Sequence, residues 1–79
     1  MRNDLLLNLA ALHTTKLGAA RIKKNLKLDT DDVVLWCRQK IQDSDDIITN
    51  GKNWYVYFDN IRITVNAHSF TVITAHMLK

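Results

Sequence analysis

The stretch WYVYFDNIRITVN, residues 54–66, decides the fold of this chain. Apolar and polar side chains alternate on both sides of Asp59-Asn60, which is the period of a half-buried β-strand. Asp and Asn favour tight turns because their short side chains hydrogen-bond to the nearby backbone. The stretch therefore predicts an antiparallel hairpin with a turn at Asp59-Asn60. The pairs expected across it are Val56 with Ile63, Tyr57 with Arg62, and Tyr55 with Thr64.

This pairing predicts two faces, because successive side chains of a strand point to opposite sides of a sheet. The core face is expected to carry Trp54, Val56, Phe58, Ile61, Ile63 and Val65. The other face, called here the open sheet face, is expected to carry Tyr55, Tyr57, Arg62, Thr64 and Asn66.

Turn signals on either side of the hairpin extend the sheet. Asn50-Gly51 favours a type I′ turn after Ile47 and Ile48, which predicts a preceding strand. Ala67-His68-Ser69 is the next connection, and residues from Phe70 to about Met77 form the last strand. The sequence thus predicts a four-stranded antiparallel meander over residues 46–77.

The faces of the last strand depend on loop length, because a slip of one residue exchanges them. A three-residue loop at Ala67-His68-Ser69 turns Thr71, Ile73, Ala75 and Met77 to the core, and Thr74 and His76 then join Arg62. A loop of two or four residues turns Phe70, Val72, Thr74 and His76 inward instead. Both arrangements are compatible with the sequence.

Three helices are predicted before the sheet, from the spacing of their apolar residues. The first covers residues 3–12, with Leu5, Leu6, Leu9 and Leu12 on one face, and the second covers 16–26, burying Leu17, Ile22 and Leu26. The third runs from about Thr30 to Gln42, with Val33, Cys37 and Ile41 on one stripe. We expect one α+β domain over residues 1–79, with a helical half (1–42) packed on the sheet (46–77).

Composition indicates an ordinary small globular protein: 79 residues, 47% hydrophobic and 24% charged. The single cysteine, Cys37, leaves no internal disulfide partner and favours a reducing compartment. No apolar run approaches the roughly 20 residues that cross a bilayer. We therefore expect a cytoplasmic protein without membrane contact. Three scattered histidines and the lack of a phosphate-binding glycine loop predict neither a metal nor a cofactor.

The net charge of +3 is unevenly distributed. Five cations cluster on and just after the second predicted helix: Lys16, Arg21, Lys23, Lys24 and Lys27. Such a cluster attracts phosphates, although a solvated helix face has the same composition.

If the loop at Ala67-His68-Ser69 has three residues, His76 joins Arg62 on the open sheet face. That face then has the chemistry that RNA cleavage by 2′-hydroxyl attack requires. His76 could exchange protons near neutral pH, and Arg62 could stabilise a pentavalent phosphorus. Tyr55 and Tyr57 could stack on bases. Each residue also has an ordinary interpretation: a solvated histidine, a surface arginine, and tyrosines selected for β-propensity.

Two stretches resemble a known family. LHTTKLGAARIKKNLKLDTDDVVLWCRQKI (residues 12–41) and WYVYFDNIRITVNAHSFTVITAH (residues 54–76) resemble the two halves of a family of short bacterial proteins known only as a domain of unknown function. The second stretch also resembles the terminal hairpin of the barnase–EndoU–colicin–RelE-like ribonucleases. That resemblance implies an active-site groove containing Thr74 and His76, lined by Arg62 and Asn66, with His13 and Lys16 nearby.

The sequence-based hypothesis is a small ribonuclease-like protein that binds RNA on its open sheet face and cleaves it without a metal. The proposed catalytic residues are His76, Arg62, Thr74 and His13, with His68 as another candidate second proton donor. The proposed nucleic-acid-binding residues are Lys16, Arg21, Lys24, Tyr55, Tyr57, Asn66 and His68. The alternatives are a non-catalytic module that binds nucleic acid or protein, such as a regulator, and a homodimer that buries the open sheet face.

Overall fold

The computed structural model describes residues 4–78 and shows an α+β fold with one four-stranded antiparallel sheet, in the order β1-β2-β3-β4. The strands are β1 (Asp46–Asn50), β2 (Asn53–Phe58), β3 (Ile61–Asn66) and β4 (Val72–Met77). The helices that precede them are α1 (Asp4–Leu7), α2 (Lys16–Leu26) and α3 (Val33–Gln42). The predicted α+β meander is confirmed. None of these helices has the length and apolar character needed to span a bilayer.

The second and third helices begin at side-chain caps. The Thr15 hydroxyl accepts a hydrogen bond from the Gly18 N–H, so that α2 begins at Lys16, as predicted. The Asp32 carboxylate accepts one from the Leu35 N–H at 3.0 Å. This cap makes Val33 the first residue of α3, later than the predicted start near Thr30.

The first helix is shorter than predicted. α1 ends at Leu7, and a 3₁₀ turn, Leu9–Ala11, follows it. The chain then becomes extended, and His13 forms a parallel bridge with Thr71. Because a helix through Leu12 would prevent this pairing, tertiary contact with the sheet overrides the helical pattern of the leucines.

The core lies between the helices and the predicted core face of the sheet. Among its fully buried side chains are Leu5, Ile22, Cys37, Ile41, Val56, Ile63 and Val65. The stripe Val33, Cys37 and Ile41 is buried as predicted. Two predictions were wrong: Leu17 is 78% exposed and Leu6 is 43% exposed. Gly18 is buried where Leu17 was expected, because α2 packs closely against β4.

The hairpin at the centre of the sheet has the predicted register. Val56 pairs with Ile63, Tyr57 with Arg62 and Tyr55 with Thr64. The turn between β1 and β2 lies one residue later than predicted, since Asn50 pairs with Asn53 and leaves Gly51-Lys52 as the connection. Gly51 has a φ of 64°, as required of the first central residue of a type II′ turn.

The last hairpin combines features of both predicted registers. The Asn66 N–H donates to the Thr71 carbonyl at 2.8 Å, which leaves four residues, 67–70, in the connection. Val72 accordingly faces the core, opposite Val65. A register shift follows, because Thr64 pairs with Thr74 and leaves Ile73 as the extra residue of a β-bulge.

Beyond the bulge, the side chains of β4 alternate in the opposite sense, so that odd-numbered residues face the core. Ala75 is buried opposite Ile63, and Thr74 and His76 lie on the open sheet face with Arg62. Ile73 and Met77, which a three-residue loop would bury, are 40% and 60% exposed. The four-residue loop shifts the inward-facing positions of β4 by one residue, and the bulge shifts them by one more. From Thr74 onward, the side chains therefore face the sides that a three-residue loop would give.

Close packing of α2 on β4 predicts a cost for a side chain at Gly18. A methyl carbon there would lie 2.5 Å from Thr14 Oγ1, which itself donates to the Val72 carbonyl at 2.8 Å. We expect Gly18→Ala to lower the free energy of unfolding by about 1–3 kcal/mol. In this net loss, the steric cost outweighs the gain of about 1 kcal/mol that alanine brings to a helix relative to glycine. Urea unfolding followed by circular dichroism measures the change.

Thr14→Ala provides the matched control because it removes the oxygen that the new methyl would meet. In the Thr14→Ala background, Gly18→Ala should cost much less than it does alone. Equal costs in both backgrounds would contradict the proposed clash.

Candidate functional site on the open sheet face

The register of the four strands arranges the open sheet face in transverse rows. One row crosses the whole sheet and contains Asp46, Tyr57, Arg62 and His76. The next row contains Ile48, Tyr55, Thr64 and Thr74. Helices cover the opposite face of the sheet, so these two rows form its helix-free side.

Arg62 and His76 contact each other directly across β3 and β4. Arg62 Nη2 lies 3.0 Å from His76 Nε2. A guanidinium only donates hydrogen bonds, so His76 Nε2 is the acceptor and carries a lone pair. The β-bulge at Ile73 makes this contact possible, because regular pairing beyond Val72 would turn His76 to the core.

The guanidinium of Arg62 has unused bonding capacity. Its Nε atom is buried and has no hydrogen-bond partner among the described residues. Its Cζ lies 5.7 Å from the centre of the Tyr55 ring, and no carboxylate within residues 4–78 forms an ion pair with it. A partly buried cation that forms no ion pair within the described residues is suited to bind an anion.

A shallow depression adjoins this arginine. It has a volume of about 490 Å³ and is lined by Ile48, Asn50, Tyr55, Tyr57 and Arg62. Its lining combines two aromatic rings with a cation and an amide. These are the groups that stack on bases and hold a phosphate in complexes with single-stranded nucleic acid.

Two residues of the rows were missed by sequence reasoning. The predicted sheet began at residue 46, but neither Asp46 nor Ile48 was assigned to a face. The structure pairs Asp46 with Tyr57 and Ile48 with Tyr55. A turn placed at Gly51-Lys52 would have identified both, because the turn sets the register of β1.

His13 lies away from His76. Its Nε2 is 2.9 Å from the Thr71 hydroxyl, and its Nδ1 is 2.9 Å from the Ala11 carbonyl oxygen. Thr71 precedes His76 by five residues along the chain, which corresponds to roughly 15 Å of strand. The two histidines therefore cannot act together on one phosphate within a single chain.

Asn66 is the last residue of β3, and His68 lies in the connection that follows it. The Asn66 side-chain oxygen accepts hydrogen bonds from the backbone N–H groups of His68 and Ser69, at 2.9 and 3.0 Å. These bonds give Asn66 a structural part in the connection. His68 is exposed there.

The proposed cationic contacts lie on another element. Lys16, Arg21 and Lys24 are exposed residues of α2, whose Ile22 is buried in the core. Within residues 4–78, no hydrogen bond or ion pair connects them to Arg62 or His76. Lys23 on the same helix pairs with Asp31 at 2.7 Å, and this hydrogen bond lowers the pKa of Asp31.

Cys37 and the acidic residues do not form a metal centre in the described part of the chain. Among residues 4–78, no three His, Cys, Asp or Glu side chains are grouped closely enough to hold a metal ion. Burial raises the pKa of the Cys37 thiol to about 12, so this thiol stays protonated at neutral pH.

The fold and the rows define a small α+β protein with an arginine–histidine pair on an open sheet face. The chain belongs to the family described as "Protein of unknown function (DUF3781)", whose model matches residues 6–76. No curated protein and no solved structure matches the chain. Membership confirms the resemblance to a domain of unknown function.

Proposed function

We propose that this protein binds single-stranded RNA on its open sheet face and cleaves it by 2′-hydroxyl attack. The observation that carries the proposal is the Arg62–His76 contact of 3.0 Å, together with the unpartnered Nε of Arg62. A phosphate oxygen that accepts a hydrogen bond from this guanidinium would balance its charge.

Binding would use the two rows of the face. Four strands about 4.8 Å apart provide a surface roughly 15 Å wide, enough for one nucleic-acid strand. Tyr55 and Tyr57 would stack on bases next to the phosphate held by Arg62. Stacking tolerates any base, so we expect weak sequence preference.

Cleavage would begin when the phosphate replaces His76 as the acceptor for Arg62. His76 Nε2 would then take the proton of the 2′-hydroxyl, while the 2′-oxygen forms a bond to phosphorus. The bond from phosphorus to the 5′-oxygen breaks, and that oxygen takes a proton from solvent. The products are a 2′,3′-cyclic phosphate and a 5′-hydroxyl end.

The test is incubation of end-labelled single-stranded RNA with the protein in the presence of EDTA. The expected products carry 2′,3′-cyclic phosphates, and an otherwise identical oligonucleotide of deoxynucleotides should stay intact. Absence of RNA cleavage at micromolar protein, or cleavage of the deoxynucleotide strand, would refute the catalytic proposal.

Loss of the Arg62 charge should weaken RNA binding. We expect Arg62→Gln to raise the dissociation constant by about 10- to 100-fold, since a charge-assisted hydrogen bond contributes about 1.5–3 kcal/mol. Fluorescence anisotropy with labelled RNA measures it. Lys40→Gln is the matched control, because it removes one positive charge from the last turn of α3, on the helical side of the sheet. Equal weakening by both changes would indicate attraction to net charge alone.

A second candidate is RNA binding without cleavage. It is favoured by the lone histidine of the Asp46–His76 row, whose Nε2 is already occupied by Arg62. Under this candidate the Arg62→Gln result stands, while the end-labelled RNA remains intact.

A further inference from the structure

The rest of the described chain forms hydrogen bonds with one edge of the sheet, β4, and leaves the other edge, β1, uncovered. At the β4 edge, the His13 N–H donates to the Phe70 carbonyl and the His13 carbonyl accepts from the Val72 N–H. The Thr14 hydroxyl and the Asn25 amide donate to the carbonyls of Val72 and Ala75. This edge is therefore covered by the segment before α2 and by α2 itself.

The β1 edge has no such cover among residues 4–78. Asn50 and Asn53 flank a two-residue turn, and residues in that position exchange both backbone hydrogen bonds. Alternation along the strand then directs the backbone groups of Ile48 toward β2, and those of Ile47 and Thr49 away from the sheet. No hydrogen bond from another described segment reaches Ile47 or Thr49.

β1 has few of the usual protections of an edge strand, since Asp46 at its first position is its one charged residue. Its sequence, DIITN, contains no proline and no lysine, and its pairing with β2 is regular throughout. Ile48 is 46% exposed, and the neighbouring Ile47 and Thr49 are β-branched. Such a strand is a template for another strand.

We propose that the β1 edge pairs antiparallel with the β1 edge of a second copy of this chain. The register that pairs the whole of Asp46–Asn50 with itself places Ile48 opposite the partner's Ile48. Ile47 then lies opposite the partner's Thr49, and these two residues are the ones with outward-facing backbone groups. The pairing forms four backbone hydrogen bonds, two for each Ile47–Thr49 pair.

Charge favours this antiparallel orientation. Two acids lie at the start of β1: Asp45 precedes the strand and Asp46 is its first residue. The turn that follows the strand contains Lys52. Antiparallel self-pairing brings the acidic end of each copy to the turn of the other. A parallel arrangement would place acid beside acid, which is repulsive. The proposed occupant is therefore a second copy.

The resulting dimer would have one continuous eight-stranded sheet. The depression bounded by Ile48 and Asn50 lies next to the seam, so the two open sheet faces would join across the twofold axis. The proposal does not rest on RNA binding, since only the β1 edge and its register enter the argument.

The first test is the mass in solution over a concentration series, measured by sedimentation velocity. A seam of five residues is smaller than a standard stable interface, so we expect a dissociation constant on the order of 10–100 µM. Thr49→Pro removes an outward N–H, and Ile48→Lys places a charge at the seam. Each should weaken the dimer by at least about tenfold.

Ile73→Lys is the matched control, because it makes the same substitution on the opposite edge strand at a similarly exposed isoleucine. It should leave the dimer intact, and circular dichroism verifies that all variants fold. A wild-type monomer at 500 µM would overturn the proposal, as would equal weakening by Ile73→Lys. A dimer insensitive to both β1 variants would assign the contact elsewhere and overturn it too.

The second test reads the register. Ile48 would face its own copy in a non-hydrogen-bonded pair with Cα atoms about 4.5 Å apart, a separation that a disulfide spans. Under mild oxidation, Ile48→Cys should form a covalent dimer at least about tenfold faster than Asn50→Cys. The buried Cys37 thiol does not compete. Equal rates for the two variants would contradict the register.

Discussion

Replacing His76 with alanine is expected to slow RNA cleavage by about 10²- to 10⁴-fold, the usual contribution of general acid–base catalysis. The row Asp46, Tyr57, Arg62 and His76 contains one histidine, and its Nε2 carries the lone pair that would take the 2′-hydroxyl proton. Single-turnover cleavage of end-labelled RNA under saturating protein measures the rate of the chemical step.

RNA binding should change by less than about threefold in this variant, because Arg62 and the tyrosines remain. His68→Ala tests the other candidate proton donor, an exposed histidine of the β3–β4 connection, because the proposed mechanism takes that proton from solvent instead. It should retain the wild-type cleavage rate. Equal cleavage by the His76→Ala variant and the wild type would remove His76 from the proposed mechanism.

The largest effect on stability is expected from Ile63→Ala. Ile63 is fully buried on the central strand β3, between Val56 and Ala75. The truncation should lower the free energy of unfolding by about 2–5 kcal/mol, through lost burial and the cavity left behind. Small domains have total stabilities of only about 5–15 kcal/mol, so this loss is a large share of the total.

Urea unfolding monitored by tryptophan fluorescence measures this change. Ile73→Ala removes the same atoms at a bulged residue that is 40% exposed, and should cost less than about 1 kcal/mol. Similar losses for the two isoleucines would mean that the core does not lie where the strand alternation places it.

Most of the central sheet could be predicted from the sequence. The alternation in residues 54–66 and the turn at Asp59-Asn60 are local signals, and they determined the register of β2 with β3. The spacing of Val33, Cys37 and Ile41 likewise identified the buried stripe of α3. Short-range periodicity is sufficient where burial follows it without interruption.

The position of His76 was not predictable in the same way. A connection of four residues alone would have turned Thr74 and His76 to the core, and the bulge at Ile73 reverses that outcome. A β-bulge depends on what packs against the strand, here Thr14 before α2 at Val72 and Asn25 of α2 at Ala75. No local residue pattern in β4 predicts this bulge.

The sequence by itself determined the sheet of consecutive hairpins, the core alternation of β2 and β3, and the limits of α2, because these follow from turn chemistry, side-chain periodicity and capping. Only the tertiary structure decided that α1 ends at Leu7, that Gly18 rather than Leu17 is buried, and that Arg62 meets His76. These features arise where the segment before α2, and α2 itself, pack against β4. Contacts between residues some 50–58 positions apart then outweigh the local preferences of the chain.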